Sequence, residues 1–115
     1  MNRLLVLIFT LAFYICLVGC SKDKDPSVRI RNERGTKANI QLKAADGNTI
    51  NINDVEGGAT TAFQDIAVTR YEVKATIQSE TVTPSITFDA STNNNYTVVV
   101  LPGTPPILRV EVAGK

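Results

Sequence analysis

Hydrophobic and polar residues alternate one by one along most of the chain beyond residue 26. In the stretches 71–77 and 108–112 every second residue is apolar. This period of two is typical of a β-strand that buries one face and exposes the other. We therefore predict eight short strands, near residues 27–33, 37–44, 48–53, 60–65, 70–78, 81–88, 96–101 and 107–113.

Turn residues separate these stretches and indicate how they connect. Asp46-Gly47 is a strong hairpin signal because both residue types tolerate a positive φ, and residues 78–80 are predicted as another hairpin turn. Pro84 has no N–H to donate, so strand 81–88 is expected at a sheet edge or with a bulge. Short strands at regular spacing predict an all-β fold, a single antiparallel β-sandwich of about seven or eight strands.

The N-terminal segment follows a different pattern. Arg3 precedes an uncharged, mostly apolar run over Leu4–Val18, which is short for a membrane-spanning helix and typical of an export signal. The run ends in Leu-Val-Gly-Cys at residues 17–20 and resembles the lipobox of bacterial lipoprotein precursors. The resemblance implies that a signal peptide of residues 1–19 is removed and that the thiol of Cys20 carries a diacylglycerol. An ordinary secretory signal and an uncleaved membrane anchor stay open as alternatives.

The chain thus divides into three parts: residues 1–19 as a lipoprotein signal peptide, 20–26 as the lipidated cysteine and a polar tether, and 27–115 as the β-sandwich domain. The charged stretch Lys22–Asp25 resembles the surface-export signals of Bacteroidota lipoproteins, and it is equally consistent with a plain solvated tether. The expected location is the cell envelope, lipid-anchored in the outer membrane. If residues 22–25 are a surface-export signal, the domain is expected at the cell surface. If they are a plain tether, the sequence does not indicate on which side of the membrane the domain lies.

Composition narrows the possible chemistry. The chain holds 12 Lys+Arg, 11 Asp+Glu and no histidine. This balance argues against a broad basic surface for nucleic acid, and the missing histidine excludes a Ser-His-Asp triad and the usual zinc ligands. Oxygen ligands for calcium are available at Asp46, Asn48, Asp54 and Glu56. Their spacing does not form a calcium-binding loop and favours turns, so we expect no catalysis, no metal and no cofactor.

Few side chains stand out as binding candidates. Tyr71 and Tyr96 each begin a strand on its apolar face. This predicts core packing with the hydroxyl bonded to nearby backbone, as in the tyrosine corner, and sugar stacking or partner binding is the alternative. Arg29 and Arg31, with Lys43 in a strand expected to pair with theirs, are candidates for a small basic face, although solvated strand surfaces show the same pattern.

Part of the chain resembles the immunoglobulin-like sandwich domains of unknown function in small Bacteroidota lipoproteins. The residues that carry this resemblance are Val28, Ile30, Asn32, Gly58, Thr60, Phe63, Ile66, Tyr71, Val73 and Ala75. It implies the fold and the envelope location, and it implies no activity because none is assigned to that family.

Two functions fit these features. The first is a non-catalytic binding or interaction module that engages an envelope protein or glycan through its loops or an exposed edge strand, with 81–88 as the candidate edge. The alternative is a structural or assembly accessory of an outer-membrane complex.

Overall fold

The protein, seen in a computed structural model that describes residues 23–115, folds into two packed β-sheets. The strands are β1 (Ser27–Asn32), β2 (Ala38–Ala44), β3 (Thr49–Val55), β4 (Gln64–Asp65), β5 (Arg70–Ile77), β6 (Ser85–Asp89), β7 (Asn94–Val100) and β8 (Leu108–Gly114). The first sheet has the strand order β4-β1-β7-β8 and the second β3-β2-β5-β6. This confirms the predicted all-β sandwich. Within these residues no helix is long and apolar enough to cross a membrane.

The core lies between the sheets and follows the alternation in the sequence. In β5 every second residue from Tyr71 to Ile77 is buried, and β2 alternates in the same way. The first sheet contributes Val28, Ile30 and Val98, all with no exposed surface. Burial of such side chains stabilises the fold by about 1.5–3 kcal/mol each. The aliphatic faces of both sheets therefore form one core.

Strand β1 lies beside β7, and this pair is parallel. Ser27 is opposite Asn95 and Asn32 is opposite Val100, whereas the other strand pairs are antiparallel. A parallel pair needs a long connection, and here the second sheet supplies it. The N-terminal strand is thereby held in the interior of the first sheet, with β4 on its other side.

Three aromatic rings join the two sheets at one end of the core. Phe88 of the second sheet stacks on Tyr71 at 5.6 Å between centroids and meets Tyr96 of the first sheet at 4.9 Å. The Tyr71 hydroxyl donates to the carbonyl of Ala67, and the Tyr96 hydroxyl donates to that of Asp89. The predicted core role of both tyrosines, with their hydroxyls bonded to preceding backbone, is confirmed.

The segment 60–65 is less regular than predicted. Only Gln64–Asp65 forms a strand, and Thr60 makes an isolated bridge with Arg31. Thr61 donates its N–H to the Ile30 carbonyl at 2.9 Å, but the Ile30 N–H donates to the Thr61 hydroxyl at 3.0 Å. Because a side chain replaces the backbone carbonyl as acceptor, the ladder along β1 is interrupted here.

Connections between strands account for the other differences. Asp46-Gly47 forms the predicted hairpin turn, with β2 and β3 antiparallel on either side. Residues 33–37 instead carry the chain from the first sheet to the second, so the expectation that Lys43 lies in a strand paired with β1 is wrong. Alternation does not distinguish a hairpin from a crossover. β6 is shorter than predicted and begins after Pro84, at the edge of the second sheet, where the sequence placed it.

Asn32 organises the loops at the end of β1. Its side chain is fully buried and donates to the carbonyls of Thr36 and Val55 at 2.7 and 3.1 Å. Its oxygen accepts the N–H of Arg34 at 3.0 Å. Nearby, a Cβ on Gly57 would lie 2.5 Å from the backbone of Gly35, so glycine is required for these loops to approach.

The N-terminal segment is bonded to the opposite end of the sandwich. The N–H of Lys24 donates to the Asn93 side-chain oxygen, and the N–H of Asn93 donates to the Lys24 carbonyl, both at 2.8 Å. Pro26 is buried, and its carbonyl accepts the N–H of Ile66. Residues 23–26 therefore already contact the sandwich, before the boundary at residue 27 that the sequence suggests.

We predict that Asn32→Ala lowers the free energy of unfolding by about 1–3 kcal/mol, because it leaves buried backbone groups without partners. Urea denaturation measures this change. Asn53→Ala removes an exposed amide from the second sheet and should change stability by no more than about 0.5 kcal/mol. Equal losses in the two variants would contradict the role given to Asn32.

Candidate binding surface

The outer face of the first sheet carries a shallow groove, which we call the outer groove. Its volume is about 370 Å³, and it is lined by Arg29, Phe63, Asn95, Thr97, Glu111, Val112 and Ala113. Phe63 is 42% exposed, while the other aromatic residues of the described chain pack in or against the core. The outer groove therefore combines an accessible ring with charged and polar side chains.

Strand register aligns the polar side chains of the groove. Arg29 of β1 lies opposite Thr97 of β7, and Thr97 lies opposite Glu111 of β8. Asn95 is two residues before Thr97 and shares its face, because side chains on a strand alternate. Phe63 reaches the same face from the irregular segment before β4.

Arg29 is held in place on two sides. Its guanidinium carbon lies 4.5 Å from the centroid of the Phe63 ring, within the range of a cation–π interaction. Its Nε donates to the hydroxyl of Thr97 at 3.0 Å, and Thr97 is itself 6% exposed. Both contacts leave the terminal nitrogens of the guanidinium as donors without an acceptor among residues 23–115.

The neighbouring arginines differ from Arg29 in that each pairs with a carboxylate. Arg31 lies 3.0 Å from Glu111 and from Glu33. Arg109 lies 2.8 Å from the same Glu111 carboxylate. Elsewhere, the partners are Glu80 for Arg34 and Asp89 for Arg70. Within the described residues Arg29 is thus the arginine without an anionic partner.

Glu111 is the charge centre beside the groove. Its two oxygens accept from one terminal nitrogen of Arg31, each at 3.0 Å, and one of them also accepts from Arg109. These bonds lower the pKa of Glu111, with the Arg31 hydrogen bond as the largest cause, and the same bond raises the pKa of Arg31. Glu111 is therefore ionised and neutralised by its own neighbours, and it does not compete for Arg29.

Two of the other concave regions are less suited to a ligand. One lies at the end of the sandwich near Arg34, about 210 Å³ in volume, where Arg34 bonds to the Leu101 and Gly103 carbonyls and to Glu80. These bonds tie loops together and use the donors of that side chain. The other is about 250 Å³ on the second sheet and is lined mainly by amides and hydroxyls, with no aromatic ring.

The candidate basic-face and calcium-binding residues from the sequence analysis do not all come together in the structure. Arg29 and Arg31 share the outer face of the first sheet, and Lys43 lies on the second sheet. Asp46 and Asn48 bond to each other in the β2–β3 turn, at the opposite end of β3 from Asp54 and Glu56, so the four calcium candidates do not come together. Residues 23–115 hold no cluster of three His, Cys, Asp or Glu suited to a metal ion. Cys20 lies outside the described residues.

Sequence reasoning missed Asn95, Thr97 and Glu111 as groove residues. The predicted strand begins at residue 96, whereas β7 begins at Asn94 and so includes Asn95. The alternation of Thr97, Val99 and Glu111 with core residues was visible, but the β1–β7 pairing that brings them beside Arg29 leaves no local signal.

Comparison with known proteins supports the fold. No family model matches the chain, and no curated protein matches it. Among solved structures it is similar to an NMR structure of a protein from Eubacterium rectale, with a TM-score of 0.57 and 17% identity over 83% of this chain and 96% of that chain. At this identity the likeness concerns the fold alone, a small two-sheet all-β domain.

We predict that Glu111→Gln makes the stability of the protein less sensitive to acid. The pKa of Glu111 is lowered by folding, so its contribution is present above the unfolded pKa and is lost as the pH falls through the folded pKa. The urea midpoint of the native chain should fall more than that of the variant between about pH 6 and about pH 3.

Glu72→Gln is the matched control, since Glu72 lies on the second sheet, 3.6 Å from Lys74, and has no arginine partner. It should follow the native chain. Parallel acid profiles for the native protein and Glu111→Gln would show that the arginine contacts of Glu111 do not stabilise the fold.

Proposed function

We propose that the protein is a lipid-anchored lipoprotein of the bacterial outer membrane whose non-catalytic β-sandwich binds an acidic glycan in the outer groove. The anchor is Cys20, and its support is the lipobox-like sequence at residues 17–20 after an apolar run. A diacylglycerol supplies two buried chains, which is enough for stable attachment where a single chain is marginal.

The contacts of the N-terminal segment limit how far the sandwich extends from such an anchor. Asp23 comes three residues after Cys20, so their Cα atoms are at most about 11 Å apart. Asp23 accepts a hydrogen bond from Asn93 at 3.2 Å. The sandwich would therefore lie directly at the membrane surface, rather than at the end of the six-residue tether that the sequence suggests.

The observation that carries the binding proposal is the guanidinium of Arg29. It is positioned by Phe63 and Thr97, and its terminal nitrogens form a planar pair of donors that matches a carboxylate. A carboxylate is the group that such a site selects over neutral ligands. Charge-assisted bonds of this kind contribute about 1.5–3 kcal/mol each.

The rest of the groove favours a sugar as the bearer of that carboxylate. Asn95 offers an amide for hydroxyl groups, and the half-exposed ring of Phe63 offers an apolar surface for the face of a sugar ring. The groove is shallow and open, which suits a chain lying across the sheet better than an enclosed small molecule. The absence of histidine from the sequence supports binding without catalysis.

Lipidation is tested by labelling growing cells with an alkyne fatty acid. The native chain should take up label and Cys20→Ser should take up none, whereas Cys16→Ser, which changes a residue within the proposed signal peptide, should label as the native chain does. Equal label in the native chain and Cys20→Ser would refute the anchor. Protease treatment of intact cells then distinguishes the cell surface from the periplasmic side.

Ligand binding is tested by calorimetric titration with oligomers of a hexuronic acid and with neutral oligomers of equal length. The acidic oligomer should bind, and Arg29→Gln should weaken it by at least about tenfold, because the variant loses the charge and the paired donors of the guanidinium. Arg70→Gln removes an arginine from the start of β5 in the second sheet and should bind as the native chain does.

The remaining outcomes each decide against the proposal. Equal binding of neutral and acidic oligomers, or equal weakening by the two variants, would contradict a carboxylate site at Arg29. An acidic peptide that binds in place of the glycan would change the partner class. No binding of any of the three would favour an assembly accessory of the outer membrane.

A further inference from the structure

Strand β8 leaves one edge of the first sheet open. It pairs with β7 along its whole length, and no other strand of the described chain is hydrogen-bonded to it, although β6 of the second sheet packs near it. Two hydrogen bonds show which residues of β8 bond to β7. The N–H of Leu101 donates to the Ile107 carbonyl at 3.1 Å, and the N–H of Lys115 donates to the Asn93 carbonyl at 2.9 Å. Bonded pairs alternate in an antiparallel ladder.

It follows that Arg109 and Glu111 direct their backbone groups toward β7, whereas Leu108, Val110 and Val112 direct theirs outward. Within residues 23–115 these outward groups have no backbone partner. An unpaired row of this kind is a template for another strand. The edge of β8 is therefore ready to accept one.

The other edges of the sandwich are less suited to strand addition. β4 has two residues, and β6 has five and follows Pro84. β3 has the same length as β8, but a bulge interrupts its pairing with β2, and Asp54 adopts a φ of 57°. Short strands, prolines and bulges are among the devices that protect sheet edges. β8 has none of them.

We propose that β8 pairs with β8 of a second copy of this chain, antiparallel, about a twofold axis at Val110. The sequence Leu108-Arg-Val-Glu-Val112 is self-complementary in this register. Arg109 of each copy lies opposite the partner's Glu111, and Leu108 lies opposite the partner's Val112. Val110 meets its own counterpart and exchanges both backbone hydrogen bonds with it.

Charge selects this register over its neighbours. An axis at Arg109 would place two arginines opposite each other, and an axis at Glu111 would place two carboxylates opposite each other. Like charges directly opposite in a sheet are destabilising, and opposite charges are stabilising. The outward direction of the Val110 backbone groups agrees with the same register, in which the two Val110 residues form a hydrogen-bonded pair.

The pairing also covers apolar surface that the single copy exposes. Val112 is 60% exposed and Ile107 is 54% exposed. In the proposed pair, Val112 lies against the partner's Leu108, and Ile107 lies opposite the partner's Ala113. Two of the large exposed apolar residues of the sandwich thus acquire neighbours from one contact.

A twofold axis perpendicular to the sheet places the two N-termini at opposite ends of the pair. Both anchors reach one membrane if the sheets lie along its surface. This consequence rests on the proposed lipidation of Cys20, but the pairing itself does not. Nor does it require a ligand in the outer groove.

Cysteine crosslinking in cells that produce the full chain tests the register. In the proposed pair the two Val110 Cα atoms are about 5.5 Å apart, within reach of a disulfide, while the two Val112 Cα atoms are offset by four residues, about 14 Å. After oxidation, Val110→Cys should give at least about tenfold more covalent dimer than Val112→Cys or the native chain.

Val112→Cys is a stringent control, because it is more exposed than Val110, which is half-buried. Random collision would favour the control. Equal or greater dimer at Val112→Cys, or no dimer at Val110→Cys, would overturn the proposal.

Charge reversal tests the complementarity in the Val110→Cys background. Arg109→Glu alone and Glu111→Arg alone should each reduce the covalent dimer at least about tenfold by placing like charges opposite each other. Co-production of the two variants should restore the covalent dimer. One copy then carries carboxylates at positions 109 and 111 and the other carries arginines there, so opposite charges face each other at both contacts. Tags of different size identify the mixed dimer.

The mixed dimer also controls for folding, because a variant that had merely unfolded would not pair with either copy. An undiminished dimer in Arg109→Glu, or a mixed dimer no more abundant than those of the single variants, would overturn the proposed contact. Fatty-acid labelling of Cys20 is unaffected by either result, so the two proposals fail independently.

Discussion

The parallel pairing of β1 with β7 is the constraint on which the rest of the structure depends. It places the first strand inside its sheet rather than at an edge, with Val28 and Ile30 in the core. It directs the next strand to the other sheet and thereby creates the sandwich. It also fixes the two ends of the molecule, because β1 begins opposite Asn95 and ends at the buried amide of Asn32.

The same pairing creates the outer groove. Arg29 faces Thr97 only because β1 and β7 run side by side in this register, and Thr97 faces Glu111 because β7 continues the sheet to β8. Arg29, Thr97 and Glu111 thus form one row across three strands. The arginines near this row are of two kinds. Arg31 and Arg109 pair with the carboxylates of Glu33 and Glu111, and Arg29 is held by an aromatic ring and a hydroxyl. That difference in partners, rather than net charge, distinguishes the proposed ligand site from an ordinary charged surface.

Much of the fold is predictable from the sequence, because a period of two follows directly from the geometry of a strand. The core residues of β2 and β5, the hairpin at Asp46-Gly47, the edge position after Pro84 and the tyrosine contacts all have local signals. Which strands pair with each other within a sheet has no local signal in the sequence. Arg34-Gly35 and Asp46-Gly47 both separate alternating segments, yet the first pair lies in a crossover between the sheets and the second in a hairpin, which is why Lys43 was assigned to the wrong sheet.

The candidate site was less predictable for the same reason. Arg29 and Phe63 are 34 residues apart in a chain whose numbering runs to 115, and their contact depends on an irregular segment where the Thr61 hydroxyl replaces a backbone acceptor. Asn95 and Thr97 come from still farther along the chain. Local patterns indicate which side chains point outward, but the cation–π contact and the aligned row exist only after the sheet has formed.

The most direct test of the account is to map where an acidic oligosaccharide binds. Backbone amide resonances of the isotope-labelled chain from Ser21 to Lys115, which includes the core residues of the part that the structure describes, are followed while an oligomer of a hexuronic acid is added. The account predicts shifts concentrated at Arg29, Phe63 and Thr97 on the outer face of the first sheet. Shifts concentrated at Gln41 and Lys74 on the second sheet, or no shifts at all, would contradict it.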